Sequence, residues 1–135
     1  MTASPPPAQP ALHPFRVAVE ARDLDGMVAG LADDVRLHSP VAFRPFAGRE
    51  AVRTVFANLF EVFEDFHYVD ELAGQGTHAL IFQARIGGRE VQGLDHLRYD
   101  ADGLVSEFTV MVRPLSAAIA LAEAMGPRVA HLPKG

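Results

Sequence analysis

The sequence contains no cysteine, no basic cluster and no long apolar run, and each absence removes a class of function. Without cysteine among its 135 residues, the chain has no disulfide, thiolate metal site or cysteine nucleophile. The formal net charge is -5 and the arginines are scattered singly, so we expect no nucleic-acid partner. No apolar run approaches the roughly 18–20 residues that a membrane span needs. We therefore predict a cytoplasmic protein without a membrane partner.

Proline is concentrated at the amino terminus, where Pro5, Pro6 and Pro7 are followed by Pro10. Proline supplies no amide donor and biases its predecessor away from helix, so this stretch favours an extended arm. It also lacks the charged and apolar regions of a secretion signal. We predict a flexible tail over residues 1–12, one domain over residues 13–126 and a fraying tail over residues 127–135.

The apolar period changes from helical to strand-like along the chain. Helical spacing predicts a first helix over about residues 14–22. It predicts a second helix that is capped by Asp23 and includes Leu31, and a third that begins after Gly48. A short strand before Pro40 separates the second and third helices. From about residue 66 the period is two, in four segments joined by glycine-containing turns, which predicts an antiparallel meander. Ser116 can cap a closing helix. This order predicts an α+β fold, with helices packed on the concave face of a bent sheet.

One acidic residue interrupts an otherwise apolar strand face. Alternation puts Asp95 on the same face as Leu97, and the inner face of the next strand includes Phe108 and Val110. Burying an ionised carboxylate costs several kcal/mol, so the pKa of Asp95 is expected to rise. A neutral acid can donate a hydrogen bond to a ligand oxygen, and a less buried one can act as a general base. A carboxylate with a purely structural role is the alternative.

Phenylalanines supply candidate walls for a ligand cavity. Phe56 and Phe60 follow the stripe of the third predicted helix, a spacing that plain core packing also explains. Phe43 and Phe46 lie in a proline-bearing loop and should be buried against something. The histidines show no metal-ligand spacing, so no metal or other cofactor is predicted.

Two stretches resemble a known superfamily. They are "ARDLDGMVAGLADDVRLHSPVAFRPFAGREAV" and "LDHLRYDADGLVSEFTVMVRP", and they are similar to the opening and the final hairpin of proteins related to nuclear transport factor 2. That superfamily includes ketosteroid isomerases, SnoaL-like polyketide cyclases and limonene epoxide hydrolase. The resemblance covers about residues 13–125. It implies a cone in which a curved, mainly antiparallel sheet wraps around three helices, with a short carboxyl-terminal helix and a homodimer through the outer sheet face.

The resemblance carries over residue by residue, because this fold supports several chemistries. Asp95 matches the aspartate that donates a hydrogen bond to the steroid oxygen in ketosteroid isomerases. Ser39 stands where those enzymes have their base, and Phe15 where they have an oxyanion tyrosine. Gly93 stands where the network of limonene epoxide hydrolase needs an arginine. SnoaL-like cyclases rely chiefly on one aspartate, which this sequence supplies most easily.

The predicted function is cofactor-independent binding of a small apolar carbonyl compound, with Asp95 as hydrogen-bond donor or as acid and base in isomerase or cyclase chemistry. A non-catalytic ligand-binding or dimerisation module is the alternative. The predicted substrate-binding residues are Phe15, Ser39, Phe43, Phe46, Phe56, Phe60, Leu97, Phe108 and Val110.

Overall fold

A computed structural model describes residues 12–135, so the predicted proline-rich tail lies, except for Leu12, outside the described residues. The elements are α1 (Pro14–Glu20), α2 (Leu24–Ala29), β1 (Leu31–His38), β2 (Phe46–Ala47), α3 (Arg49–Val62), β3 (Glu64–Ala73), β4 (Thr77–Ile86), β5 (Arg89–Tyr99), β6 (Val105–Arg113) and α4 (Leu115–Val129).

The six strands form one sheet in the order β2-β1-β6-β5-β4-β3. From β3 to β6 each strand pairs antiparallel with its neighbour in sequence, which confirms the predicted meander. β1 joins β6 in parallel, so the sheet is mixed. The sheet is curved and unclosed, with helices packed against it. The α+β fold and its cone-like architecture are confirmed.

Local sequence explains where the first two helices begin. Pro14 occupies the first turn of α1, where its missing amide hydrogen costs nothing. His13 Nδ1 caps that turn by accepting a hydrogen bond from Phe15 N at 3.0 Å. Asp23 caps α2 as predicted, because its Oδ1 accepts from Gly26 N at 3.0 Å.

The second helix ends, and the following strand begins, earlier in the chain than the spacing predicted. Gly30 ends α2, and Leu31 is the first residue of β1 instead of the last turn of the helix. Leu31 is fully buried and pairs with Val105 of β6. The predicted loop after Pro40 also contains the short strand β2, in which Phe46 pairs with Leu37.

The last helix extends into the segment that the sequence predicts as a tail over residues 127–135. α4 begins at Leu115 after Pro114, not behind a Ser116 cap, and continues past Gly126 to the buried Val129. The last residue then pairs with the loop before β2, because Gly135 N donates to Pro45 O at 3.0 Å. No helix of residues 12–135 has the length and apolar character that crossing a membrane requires.

Candidate functional site

A cavity of about 250 Å³ lies between α1, α3 and the sheet. We call it the aromatic cavity because its wall includes Phe15, Phe56, Phe60, Phe66, Phe82 and Phe108. Its volume is just below the ~300–1,000 Å³ of typical ligand pockets, so it suits a small ligand.

Aromatic stacking fixes the shape of this wall. Phe15, Phe56 and Phe108 come from a helix, a second helix and a strand, and their ring centroids lie 5.1–5.6 Å apart in tilted or edge-to-face pairs. Offset and edge-to-face geometries are the ones that aromatic quadrupoles favour. The wall is therefore apolar and well packed.

Asp95 contributes a carboxyl group to the aromatic cavity. It is only 6% exposed, and it is the one polar or charged residue buried among residues 12–135. The Tyr68 hydroxyl, which lines the same cavity, donates a hydrogen bond to Asp95 Oδ2 at 2.6 Å. Asp95 Oδ1 has no hydrogen-bond partner within the described residues. The arrangement leaves Oδ1 for a ligand.

Burial sets the protonation of this pair. It raises the pKa of Asp95 to about 7, with the Tyr68 hydrogen bond acting in the opposite direction. Burial, and then the charge of Asp95, raise the pKa of Tyr68 well above its ordinary value, so Tyr68 stays a neutral donor. Near neutral pH, both forms of Asp95 are populated, and the group can give or take a proton.

Gly93 lets an aromatic ring pack next to this site. A Cβ atom at Gly93 would lie 2.5 Å from Met111 O and 2.7 Å from Phe82 Cε2. Real Cβ atoms do not approach other atoms so closely, so the backbone and the Phe82 ring exclude any side chain here. The arginine that an epoxide-hydrolase-like network needs at this position has no room.

A second cavity of about 210 Å³ lies beside α4. It contains Ser39 and Phe46, and it shares only Leu59, Phe63 and Val110 with the aromatic cavity. The Ser39 hydroxyl is already used in its loop, where Oγ accepts from Ala42 N at 3.2 Å. Ser39 and Asp95 therefore line different cavities.

The structure divides the predicted site residues into four groups. The aromatic cavity brings together Asp95, Phe15, Phe56, Phe60, Phe108 and Val110. Ser39 and Phe46 line the second cavity. Leu97 points inward as predicted but is fully buried in the core. Phe43 is 98% exposed and lines neither of the two cavities, because its loop turns the ring into solvent.

Sequence reasoning missed Tyr68. The alternation of β3 places Tyr68 and Phe66 on one face, and a buried tyrosine hydroxyl needs a partner. That signal was present in the sequence. The pairing of Tyr68 with Asp95 was not, since it depends on the register of three strands.

The lining of the aromatic cavity also includes three exposed charged residues, Glu20, Arg22 and Asp65. We call these three residues the rim. Within residues 12–135 no group of three or more histidine, aspartate or glutamate side chains is placed to hold a metal ion.

Comparison with known proteins places these features in context. The model of the SnoaL-like domain matches residues 13–108. A steroid delta-isomerase from Pseudomonas aeruginosa is 41% identical, with a TM-score of 0.80 over 86% of each chain. An uncharacterised conserved bacterial protein with a cystatin-like fold from Silicibacter pomeroyi is 30% identical, with a TM-score of 0.81 over 87% of this chain and 84% of that one. A SnoaL-like protein of unknown function from Burkholderia thailandensis is 20% identical, with a TM-score of 0.63 over 75% of this chain and 90% of that one, and shows the shared fold alone.

Proposed function

Because the chain belongs to the SnoaL-like domain family of the nuclear transport factor 2-like superfamily, we propose that it binds a small apolar molecule bearing a carbonyl group in the aromatic cavity. The observation that carries the proposal is the buried Asp95–Tyr68 pair in an otherwise apolar wall. Similarity to a steroid delta-isomerase supports the same ligand class, since a steroid is an apolar skeleton with few oxygens.

Neutral Asp95 is the hydrogen-bond donor in this proposal. Tyr68 donates to Oδ2, which leaves the carboxyl proton on Oδ1, where it can reach a ligand oxygen. In this form Asp95 holds the ligand by its oxygen, through a donor that is already in place and shielded from water. The ligand skeleton then packs against the phenylalanine rings.

Ionised Asp95 is the base. It removes a proton from the carbon next to the ligand carbonyl, which leaves an enolate, and it returns the proton to carbon to complete an isomerisation or to assist ring closure. Ser39 and Phe15 offer no second base or phenol in this cavity. The proposal therefore assigns both proton transfers to one aspartate, as in the SnoaL-like cyclases.

Binding of two matched probes tests the donor role. We would measure the dissociation constants of 2-acetonaphthone and of 2-ethylnaphthalene, which lacks the oxygen, by calorimetry between pH 5 and pH 9. The ketone should bind more tightly below pH 7, and its advantage should fall as Asp95 ionises. Asp95→Asn, whose amide still donates, should keep a constant ratio. Glu90→Gln, an exposed change on the same strand, should follow the parent. A ratio independent of pH in the parent would contradict the donor role.

Proton exchange tests the base. In deuterated buffer, the parent should incorporate deuterium into the methyl group of bound 2-acetonaphthone faster than Asp95→Asn, as followed by proton NMR. Equal rates in the two proteins would contradict the catalytic role. Ketone binding without exchange would favour the non-catalytic ligand-binding alternative.

We also propose a homodimer through the outer face of the sheet. Ile81, Leu94 and Met111 form an apolar row, because they pair in register across β4, β5 and β6. Met111 is 55% exposed, and contiguous exposed apolar rows favour association. Met111→Lys should shift the mass measured by analytical ultracentrifugation toward a monomer. Ile119→Lys, which adds the same charge at an exposed apolar position on α4, is the matched control. A monomeric parent would contradict the proposal.

The proposed location is the cytoplasm. A chain without cysteine forms no disulfide and is therefore compatible with a reducing compartment. Fractionation of cells that produce the protein would test it, and recovery outside the cytoplasm would contradict it.

A further inference from the structure

One positive charge at the rim of the aromatic cavity has no acidic partner. Glu20 receives a hydrogen bond from Arg16 Nε at 2.6 Å, and Asp65 pairs with Arg85. Arg22 makes no ion pair within residues 12–135. The rim therefore offers a ligand one unneutralised guanidinium group.

The Arg22 side chain is held at this rim by Phe60. Arg22 Nη2 donates to Phe60 O at 3.3 Å, and Arg22 Cζ lies 4.8 Å from the centroid of the Phe60 ring. A cation over an aromatic face is attracted by the ring quadrupole. These contacts use a small part of the hydrogen-bonding capacity of a guanidinium, which has five N–H donors in a planar fork. The remaining donors can bind a carboxylate.

The backbone at Arg22 has a conformation that normally selects glycine. Arg22 has φ +55° and follows α1 in a Schellman motif, in which Arg22 N donates to Val19 O at 2.9 Å and Asp23 N to Ala18 O at 2.8 Å. A side chain in the left-handed region costs about 1 kcal/mol or more. The turn itself gains nothing from an arginine, so the presence of Arg22 here needs another explanation.

A second residue of positive φ lies in the same place. Arg22 and Asp65, with φ +52°, are the non-glycine residues of positive φ in the described part of the chain, and both line the aromatic cavity. Residues held in sparsely populated backbone regions cluster at ligand sites. Strain and an unpaired cation thus coincide at one rim.

We propose that the ligand is a keto acid, in which the apolar skeleton and carbonyl lie in the aromatic cavity and a carboxylate at the other end pairs with Arg22. The inference rests on the proposed function, because it extends the ligand already assigned to that cavity. An ionised group could not lie among the phenylalanine rings without a large desolvation cost. The rim is where it can stay hydrated and meet the guanidinium.

Matched acids and methyl esters test this inference. The probes are 4-acetylbenzoic acid, 6-acetyl-2-naphthoic acid and 4'-acetylbiphenyl-4-carboxylic acid, which place the carboxylate at three distances from the ketone. For at least one length, calorimetry should show the acid binding roughly threefold to tenfold more tightly than its ester, as expected for a partly exposed ion pair. High salt should reduce that advantage.

Variants of Arg22 separate charge from folding. Arg22→Gln should abolish the advantage of the acid and change the dissociation constant of the ester less than twofold. Arg22→Gly should do the same and melt at an equal or higher temperature, because glycine relieves the left-handed strain. Arg53→Gln, which removes an arginine that does not line the aromatic cavity, should keep the advantage.

The outcomes distinguish the two proposals. If the esters bind with the pH dependence assigned to Asp95 but no acid has an advantage, the keto-acid inference is wrong and the proposed function stands. An advantage that persists in Arg22→Gln also overturns it. If no ester binds, both proposals are wrong.

Discussion

Replacing Asp95 by asparagine should stabilise the protein above neutral pH. Asparagine has nearly the same shape and can still accept the hydrogen bond that Tyr68 donates to Oδ2 at 2.6 Å. What it removes is a titratable group whose pKa burial raises from 3.8 to about 7. Since a buried carboxylate is ionised only at a cost, the variant avoids that cost.

The size of the effect follows from the rise in pKa. Each unit corresponds to about 1.4 kcal/mol, so the full rise corresponds to about 4 kcal/mol. The folded pKa is above the unfolded one, so the folded state binds this proton more tightly. The stabilising contribution of the neutral acid is complete below pH 4 and is lost as the pH rises through about 7.

Urea unfolding followed by circular dichroism measures the change directly. The difference in unfolding free energy between Asp95→Asn and the parent should grow by about 2–4 kcal/mol between pH 4.5 and pH 8, because water reaching the cavity reduces the full value. Taking the difference removes the contributions of all other titrating groups. Glu90→Gln, an exposed carboxylate on the same strand, should show no such growth.

Two results would refute this reasoning. A difference that does not change with pH would mean that the folded state leaves the pKa of Asp95 near its ordinary value. A loss of stability in Asp95→Asn at every pH would mean that the carboxylate supports the fold through contacts that an amide cannot replace.

Three further changes have defined expected outcomes. Tyr68→Phe removes the hydrogen bond that favours the ionised carboxylate, so the pKa of Asp95 should rise further, as measured by carbon NMR of its carboxyl group. Gly93→Ala should cost about 1–3 kcal/mol in urea unfolding, because its Cβ would lie 2.5 Å from Met111 O and backbone cannot yield. Burial lowers the pKa of His13, so the contribution of neutral His13 to stability is complete above pH 6.5 and is lost on acidification. In His13→Asn, which can still cap α1, the melting temperature should fall less between pH 7 and pH 5 than it does in the parent.

The features that the sequence could predict are those that follow from the local spacing of apolar residues. The stripe of α3 and the alternation of β5 each depend on neighbours within a few residues, and both were correct. For the same reason, the inward orientation of Asp95 was predictable. Where a glycine interrupts a pattern, as Gly30 does before β1, spacing alone extended the helix two residues too far, to Leu31.

The features that sequence could not predict depend on long-range register. Tyr68 reaches Asp95 across β4, and the pairing of β3 with β4 shifts between Tyr68 and Asp70, so the contact cannot be counted from the turns. Ser39 was predicted to bind the same ligand as Asp95. The contacts of α4 and the carboxyl terminus instead place it in a separate cavity, and no local pattern reveals that enclosure.

Two residues of the aromatic cavity lower the stability of the fold. Asp95 is the one polar or charged residue buried within residues 12–135, and an apolar or amide side chain of similar volume would avoid its desolvation. Arg22 occupies a left-handed backbone position at the rim of the same cavity, where glycine would be free of strain. Sequences depart from locally stable choices mainly where function requires it. Because both departures line one cavity, a ligand that uses an acid in the wall and a cation at the rim accounts for them together.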